Sequence, residues 1–364
     1  MLHTVHLSHV DRGRTVNGKT SLENTSALGR FHAAGFHFSS GRLKVSLPRN
    51  KPMSLTATDA VVVTYKRPKE LRRLIESLSQ GSLIPRRIFV VDNSPQEEAS
   101  GVCRDFPSLC SYIAAGENVG VGAGFNIGLR ALSKSPPEFV CALDDDCIVS
   151  RSALAELVAA LKKDPRISFA APLVSDGNGH PAVRPGFVSK AANATFKNAA
   201  NWNELKKLEG SLLRWATGVC LLYRYQTAAN TGFYRDDCWV LGEDVEFTLR
   251  MSYLSPGSLV ATEVAHVPPT EVVKTLDRKV ISYAKFLALL TNMSFFATRL
   301  AHARRELLSV PKIFGKFLLT APGIRGRLKF ADAIRAVWIG AVKGQPAGGE
   351  LFKRFFKSRL IPNY

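Results

Sequence analysis

Long apolar runs, paired cysteines and an excess of acidic charge are all missing from this 364-residue chain. No window reaches the roughly 18 apolar residues of a membrane span, and the N-terminal MLHTVHLSHVDRGRTV has no apolar core of signal-peptide length. The expectation is a chain neither exported nor membrane-spanning. Its six cysteines (Cys103, Cys110, Cys141, Cys147, Cys220, Cys238) form no CxxC pair and no zinc-type spacing. Several lie in apolar segments, where a reduced thiol behaves as a small hydrophobe, so a reducing cytoplasm is expected. Aromatics are 9% against 46% hydrophobic residues, which excludes disordered and fibrous classes and leaves a globular protein. Acids are outnumbered 30 to 49 by Lys and Arg, a net charge of +19. The excess sits in the flanks: residues 301–364 hold 13 basic against 3 acidic residues, and residues 1–58 hold 8 against 2. Basic flanks suit an anionic surface or a pyrophosphate-bearing substrate.

Residues 1–58 are polar, hold five of the eight histidines and contain one short strand-like stretch, RLKVSLP. They read as a loosely ordered extension; the histidines lack the spacing of a structural metal site. From Ala60 the pattern changes to alternating strands and helices. AVVVTY is a strand, PKELRRLIESLSQ a helix fronted by proline, RRIFVVDNS a strand and turn, Glu97 to Phe106 a short helix, and SYIAAG a strand. GVGAGFNIGLRALSKS is a glycine loop entering a helix, FVCALDDDC a buried strand, and SRSALAELVAALKKDP a helix capped by Ser150. Strands apolar on both sides imply a parallel sheet covered on two faces, with ligands at the strands' carboxyl ends. The apolar runs 214–223 and 258–267 bracket GFYRDDCWVLGEDVEFTLRMSYL, and residues 275–305 read as one long helix.

The Asp144-Asp145-Asp146 triplet stands directly behind the apolar VCAL. Strand alternation would turn Asp144 and Asp146 to one side, converging on a cation, and Asp145 to the other. Carboxylates in an incomplete cage suit Mg²⁺ or Mn²⁺ bridging to diphosphate oxygens; the plainer reading is a solvated acidic turn. In LGEDVEFTLR, acids open a helix where its dipole favours them. Val245, Phe247 and Leu249 should pack inward, so a carboxylate at the held tip could serve as a general base. His266 lies past the apolar VATEVA; a histidine at a strand end is more often structural, and its alternative is a third metal ligand from a distant segment. The glycine loop Asn118 to Gly128 is a poor dinucleotide fingerprint, since it follows the third strand and not the first.

Taken in order, VVVTYKRP, VVDNS, ENVGVGAGFNIGL, LDDDC, ATG, GEDVEFTLR and a following histidine resemble the motifs of inverting family 2 glycosyltransferases of the GT-A fold, over roughly residues 58–300. Within that family the triplet and the Gly-Glu-Asp-Val-Glu-Phe run are most similar to bacterial galactofuranosyltransferases, then to rhamnosyltransferases. The resemblance implies an α/β fold with a mainly parallel central sheet, helices on both faces and a basic helical C-terminal region. It covers a catalytic domain (59–300), leaving an extension (1–58) and a tail (301–364) whose KIFGKFLL, RGRLKF and LFKRFFKSRL interleave cations and large apolars, as a membrane-surface helix does and as an ordinary solvated helical face also can.

Carried over, the resemblance puts Thr64 and Arg67 in the nucleotide pocket and Asp92 on the pyrimidine base. Asn118, Gly120 and Asn126 shape the nucleotide-sugar loop, and Asp144, Asp146 and His266 hold Mn²⁺ or Mg²⁺. Asp145 touches the ribose or sugar, and Glu243 contacts sugar hydroxyls. Asp244 is the catalytic base, and Trp215, Thr217 and Gly218 meet donor sugar and acceptor. The implied partners are a UDP or dTDP sugar, best matched by UDP-galactofuranose with dTDP-rhamnose as the alternative, a glycan or lipid-linked acceptor, and an anionic membrane surface met from the cytoplasm. Two other readings compete. A sugar nucleotidyltransferase would need a glycine-rich basic signature after the first strand, and TYKRPKEL has no glycine. A nucleic-acid binder would place its charge in an aromatic-studded groove, not in the flanks.

Overall fold

The computed structural model describes residues 38–39, 42–43, 57–268, 275–300, 310–311, 326–349, 351 and 354. Within residues 1–53, β1 (Phe38–Ser39) and β2 (Arg42–Leu43) pair antiparallel; the rest of the RLKVSLP stretch lies outside the described residues.

The remainder is built on one sheet. Its first half alternates as the sequence implies: β3 (Thr58–Thr64), α1 (Pro68–Ser79), β4 (Ile88–Asp92), α2 (Ser100–Asp105), β5 (Cys110–Ala114), α3 (Val121–Leu132) and β6 (Phe139–Asp144). Strands β5, β4, β3 and β6 lie side by side and parallel. Alternate residues of β3 feed two cores: Ala60 and Val62 join Leu71 and Leu74 of α1, while Val61 joins Phe125 and Leu129 of α3. Helices therefore cover both faces.

The second half departs from the parallel expectation. It runs β7 (Cys147–Val149), α4 (Ala153–Lys163), β8 (Phe169–Ser175), β9 (Pro181–Val183), β10 (Gly186–Phe187), α5 (Lys190–Asn198), α6 (Trp202–Lys206), β11 (Leu212–Trp215), β12 (Cys220–Arg224), α7 (Tyr225–Thr231), α8 (Glu243–Leu254) and β13 (Gly257–His266). Strand β12 inserts antiparallel between β6 and β8, and β11 pairs antiparallel with β13; among these later strands only β8 and β13 pair parallel. The sheet is mixed because a strand buried on both faces reads as an apolar run whichever way it points. The run 214–223 is also not one strand: it breaks at Ala216–Val219 between β11 and β12.

Ser150 does not cap α4. Strand β7 carries the chain through Val149, and the helix starts at Ala153 behind Ser152, with no side-chain cap. Helix α8 is buried on two sides, Phe247 and Met251 against the sheet core and Leu249 against a third cluster. That cluster belongs to α9 (Thr275–Arg299) and α10 (Gly326–Val337), which continues into a π-helical turn, Trp338–Val342. Helix α9 ends at Arg299, and the expected continuation to residue 305 lies outside the described residues, as do KIFGKFLL and most of LFKRFFKSRL. All six cysteines are free thiols, five of them buried.

Candidate active site

Parallel register sets the first wall of the site. Thr64 lies opposite Asp92, and Val63 opposite Asp144, so three strand ends finish at one level. Strand β6 ends at Asp144, and Asp145 and Asp146 form the turn before β7. The expected division, with Asp145 facing away from its neighbours, is therefore absent: alternation stops where the strand stops, and all three aspartates line one cavity of about 510 Å³. Thr64 Oγ1 donates to Asp145 Oδ2 (2.7 Å), and Arg67 Nη1 donates to Asp145 Oδ1 (3.0 Å) and Asp146 Oδ2 (2.7 Å). Strand β7 pairs with the end of β13, Cys147 opposite His266, and so imports a histidine 120 residues distant onto Asp146, Nε2 to Oδ1 3.3 Å.

Electrostatics follow from this packing. Burial first, then the Asp146, Asp145 and Asp244 charges, push the Asp144 carboxyl up to about 7. Burial raises Asp145 to about 6 against the pull of Arg67. For Asp146 the His266 and Arg67 partners outweigh burial and hold the carboxyl below the usual range, and the bond to Asp146 raises His266. Burial works against the Arg67 charge, but the facing carboxylates still raise its pKa.

The start of α8 lines the same cavity. Asp244 Oδ2 accepts the Gly218 amide (2.6 Å) and Oδ1 the Val245 amide (2.7 Å). Burial nonetheless raises its carboxyl above the ordinary value, against those stabilising amides. Glu243, Thr217 and Gly218 line the cavity beside it. Asn118 Oδ1 accepts the Gly120 amide (3.2 Å), and Gly120, at φ 89°, starts α3. The glycines that follow serve close packing rather than a pyrophosphate turn: a Cβ on Gly124 would stand 2.8 Å from Val63 Cγ1, and one on Gly128 2.4 Å from Val61 Cγ1.

Three of the sequence-expected residues do not line the cavity. Asp92 is fully buried and its oxygens accept from the Ser94 amide, the Ala99 amide and the Tyr112 hydroxyl, so it braces the loop after β4. Asn126 exchanges two hydrogen bonds with the Tyr234 backbone (2.9 and 3.0 Å) and holds that segment onto α3. The Trp215 indole packs on Gly186, where no Cβ would fit. Conversely, Tyr65, Asn93, Trp239 and Leu241 line the cavity and were not anticipated. Tyr65 and Asn93 stand beside quoted motif residues; Trp239, four residues ahead of Glu243, had no periodicity to mark it.

The donor chemistry of Asp144, Asp146 and His266 fits a hard divalent cation, since it offers carboxylates and an imidazole where negative charge is in excess. The side chains are nevertheless arranged otherwise. Asp146 spends its oxygens on Arg67 and His266, and among the described residues no three His, Cys, Asp or Glu side chains converge as a metal site.

Residues 59–227 match the family described as Glycosyl transferase family 2. Over this segment the chain is similar to family 2 glycosyltransferases. The chain is 28% identical over 202 residues to galactofuranosyltransferase GlfT1 of Mycobacterium tuberculosis, in each of two strains; the match covers 53% of this chain and 63% of that protein. The chain thus spans slightly less than two thirds of the length of the curated relatives it matches. Among solved structures, residues 1–349 of S. aureus TarS superpose with a TM-score of 0.52 at 16% identity, covering 79% of this chain and 83% of that one. The same protein in complex with UDP-GlcNAc gives 0.50 at 17% identity, covering 77% and 81%. At these identities the likeness concerns the fold, which is of the GT-A type. The matched segment ends at Thr227 in α7, so Asp244, His266 and the Trp239 turn come from chain beyond it.

Proposed function

We propose that the protein is an inverting, divalent-cation-dependent glycosyltransferase that moves a sugar from a nucleoside diphosphate sugar to an acceptor hydroxyl. The observation that carries this reading is that Asp244 lines the same cavity as the Asp144 to Asp146 turn. The aspartate turn would receive a diphosphate with its cation, and Asp244 a proton. Asp244 is fixed by two backbone amides and its carboxyl is raised above the ordinary value by burial, which makes it a stronger acceptor for the hydroxyl's proton. The acceptor oxygen then bonds to the anomeric carbon as the bond from that carbon to the diphosphate breaks, and a single displacement inverts the configuration. Arg67, beside Asp145 and Asp146, is placed to pair with diphosphate oxygens. Asp144, Asp146 and His266 are the residues that would hold a divalent cation, which would supply countercharge for the leaving diphosphate.

For the donor we favour UDP-galactofuranose, on the 28% identity to GlfT1, and a surface glycan or glycolipid as acceptor. Contact with an anionic membrane surface is supported by Ile334, Trp338 and Val342, apolar, exposed and four residues apart, with the Lys343 amine 4.8 Å above the Trp338 ring. Thermal-shift measurement tests the donor assignment. UDP-galactofuranose should raise the melting temperature, more so with Mn²⁺, and the Mn²⁺ increment should vanish in Asp144→Asn. At 100-fold saturation the stabilisation is about 2.7 kcal/mol. A shift with dTDP-rhamnose alone would reassign the donor, and no shift with any nucleotide sugar would remove the reading.

A further inference from the structure

The turn that carries Trp239 into the cavity is strained. Trp239 has φ 55° and ψ −62°, and the Val240 amide bonds back to the Cys238 carbonyl (2.7 Å), a γ-turn of the rare positive-φ kind. Leu241 follows at φ 61° and Gly242 at φ 100°, so two side-chain-bearing residues sit in the left-handed half of backbone space just ahead of Glu243 and Asp244. Such a conformation persists only when its surroundings over-determine it.

The carbonyls of the turn identify those surroundings. Trp239 O accepts the amide of Val121, the first residue of α3 (2.9 Å). The other three, of Cys238, Val240 and Leu241, are all within reach of one amide group, Asn292 Nδ2, at 3.1, 3.1 and 2.7 Å. Asn292 is fully buried in α9, and its Oδ1 accepts the Ala347 amide (2.7 Å). From the same C-terminal segment the Gly348 amide donates to Asp237 O (2.8 Å), and a Cβ at Gly348 would stand 2.2 Å from that oxygen. The turn is thus fastened on one side to the glycine loop of the matched segment and on the other to α9 and the C-terminal segment.

The geometry points to Asn292 as a positioning residue of the active site: it buckles the strained Trp239 to Leu241 turn to the C-terminal segment, and thereby sets where the Trp239 indole and the Asp244 carboxylate stand in the cavity. This rests on the transferase reading for its kinetic consequence, but not for its structural one. Every carbonyl of the turn has a partner, and apart from the Val240 to Cys238 bond each partner lies outside the turn. Without the Asn292 amide, the Val240 and Leu241 carbonyls lose their donor, the Cys238 carbonyl keeps only the Val240 amide, and the positive φ angles lose what enforces them.

Two full-chain variants test it. Asn292→Leu keeps the volume and removes the amide; Gly348→Ala leaves Asn292 and its core intact but forces the C-terminal segment off Asp237 O. The emission of Trp239, taken as the difference from the Trp239→Phe partner in each background, reports the turn without reference to activity, and the other tryptophans (202, 215, 338) cancel. In Asn292→Leu this emission should shift, and kcat should fall about 100-fold, the loss expected for about 1 Å of misplacement. Donor KM should change less than kcat, because the Thr64, Arg67 and Asp145 wall is untouched. Gly348→Ala should move both readouts in the same direction by less. Folded variants with unchanged Trp239 emission and unchanged kcat would overturn the inference. If Asn292→Leu does not fold, Gly348→Ala decides alone. Shifted emission in a protein whose wild type transfers no sugar would sustain the buckle and remove the transferase reading.

Discussion

Replacing Asp244 with asparagine separates its chemical role from its structural one. The carboxylate accepts two backbone amides, from Gly218 and Val245. Asparagine has one oxygen and so keeps one of these bonds; leaving the other amide unpaired costs about 1–3 kcal/mol. Against this, burial raises the Asp244 carboxyl, so its ionised form is disfavoured in the folded protein and a neutral side chain relieves that penalty. The two effects oppose, and the variant should melt within a few degrees of wild type at neutral pH. The sign with pH is definite. A carboxyl whose folded pKa is raised costs stability above that pKa and ceases to cost it as pH falls through it, so wild type gains on the variant toward acid. Activity behaves otherwise. Loss of a general base should lower kcat by about 10²–10⁴, roughly 3–5 kcal/mol of barrier, with donor KM little changed. The wild-type kcat should fall as pH drops through the raised Asp244 pKa, above the ordinary carboxylate range, and the residual activity of the variant should lack that limb. The assay is release of nucleoside diphosphate from donor plus acceptor across pH. A folded Asp244→Asn protein with kcat within tenfold of wild type, or with the same acid limb, would refute the assignment of the base.

Gly128→Ala should destabilise the fold although it improves helix propensity. The gain in α3 is about 1 kcal/mol. The new Cβ would meet Val61 Cγ1 at 2.4 Å and a Val91 methyl at 3.3 Å on buried, β-branched strands with little freedom to move, and overpacking of this kind costs about 1–3 kcal/mol; denaturant midpoints should fall, and a rise would contradict the close approach. For the membrane proposal, co-sedimentation should find the protein on vesicles of anionic lipid and not on zwitterionic ones; serine at Ile334, Trp338 and Val342 together should abolish this without affecting donor binding, and equal retention on both vesicle types would sink it.

Much of the site was legible in the chain because its local signals are short. A β-branched run followed by a proline-fronted helix placed Thr64 and Arg67 at a strand end, and apolar VCAL followed by three acids placed the triplet at another. Packing of Phe247 and Leu249 inward placed Asp244 on a held helix tip. That Asp92, Asn126 and Trp215 stand outside the cavity lining was not legible, because a side chain that points into a cavity and one held by neighbouring backbone have the same sequence. Asp92 braces the loop after β4 and Asn126 ties down Tyr234, neither visible without knowing which backbone groups lie nearby.

The chain's own letters determined the strand and helix alternation from β3 to α4, the cluster of acids at a strand end and the place of Asp244 at a helix start, since each depends on neighbours a few residues away. Tertiary structure alone decided the rest. It turned β12 against its neighbours, brought all three aspartates to one cavity by ending β6 at Asp144, carried His266 onto Asp146 through the β7 and β13 pairing, and put Trp239 into the wall. The reason is the same in each case: these placements are set by hydrogen bonds between segments far apart in the chain, such as those from Asn292 to the Trp239 turn, and no local pattern of residues encodes a partner more than 50 positions away.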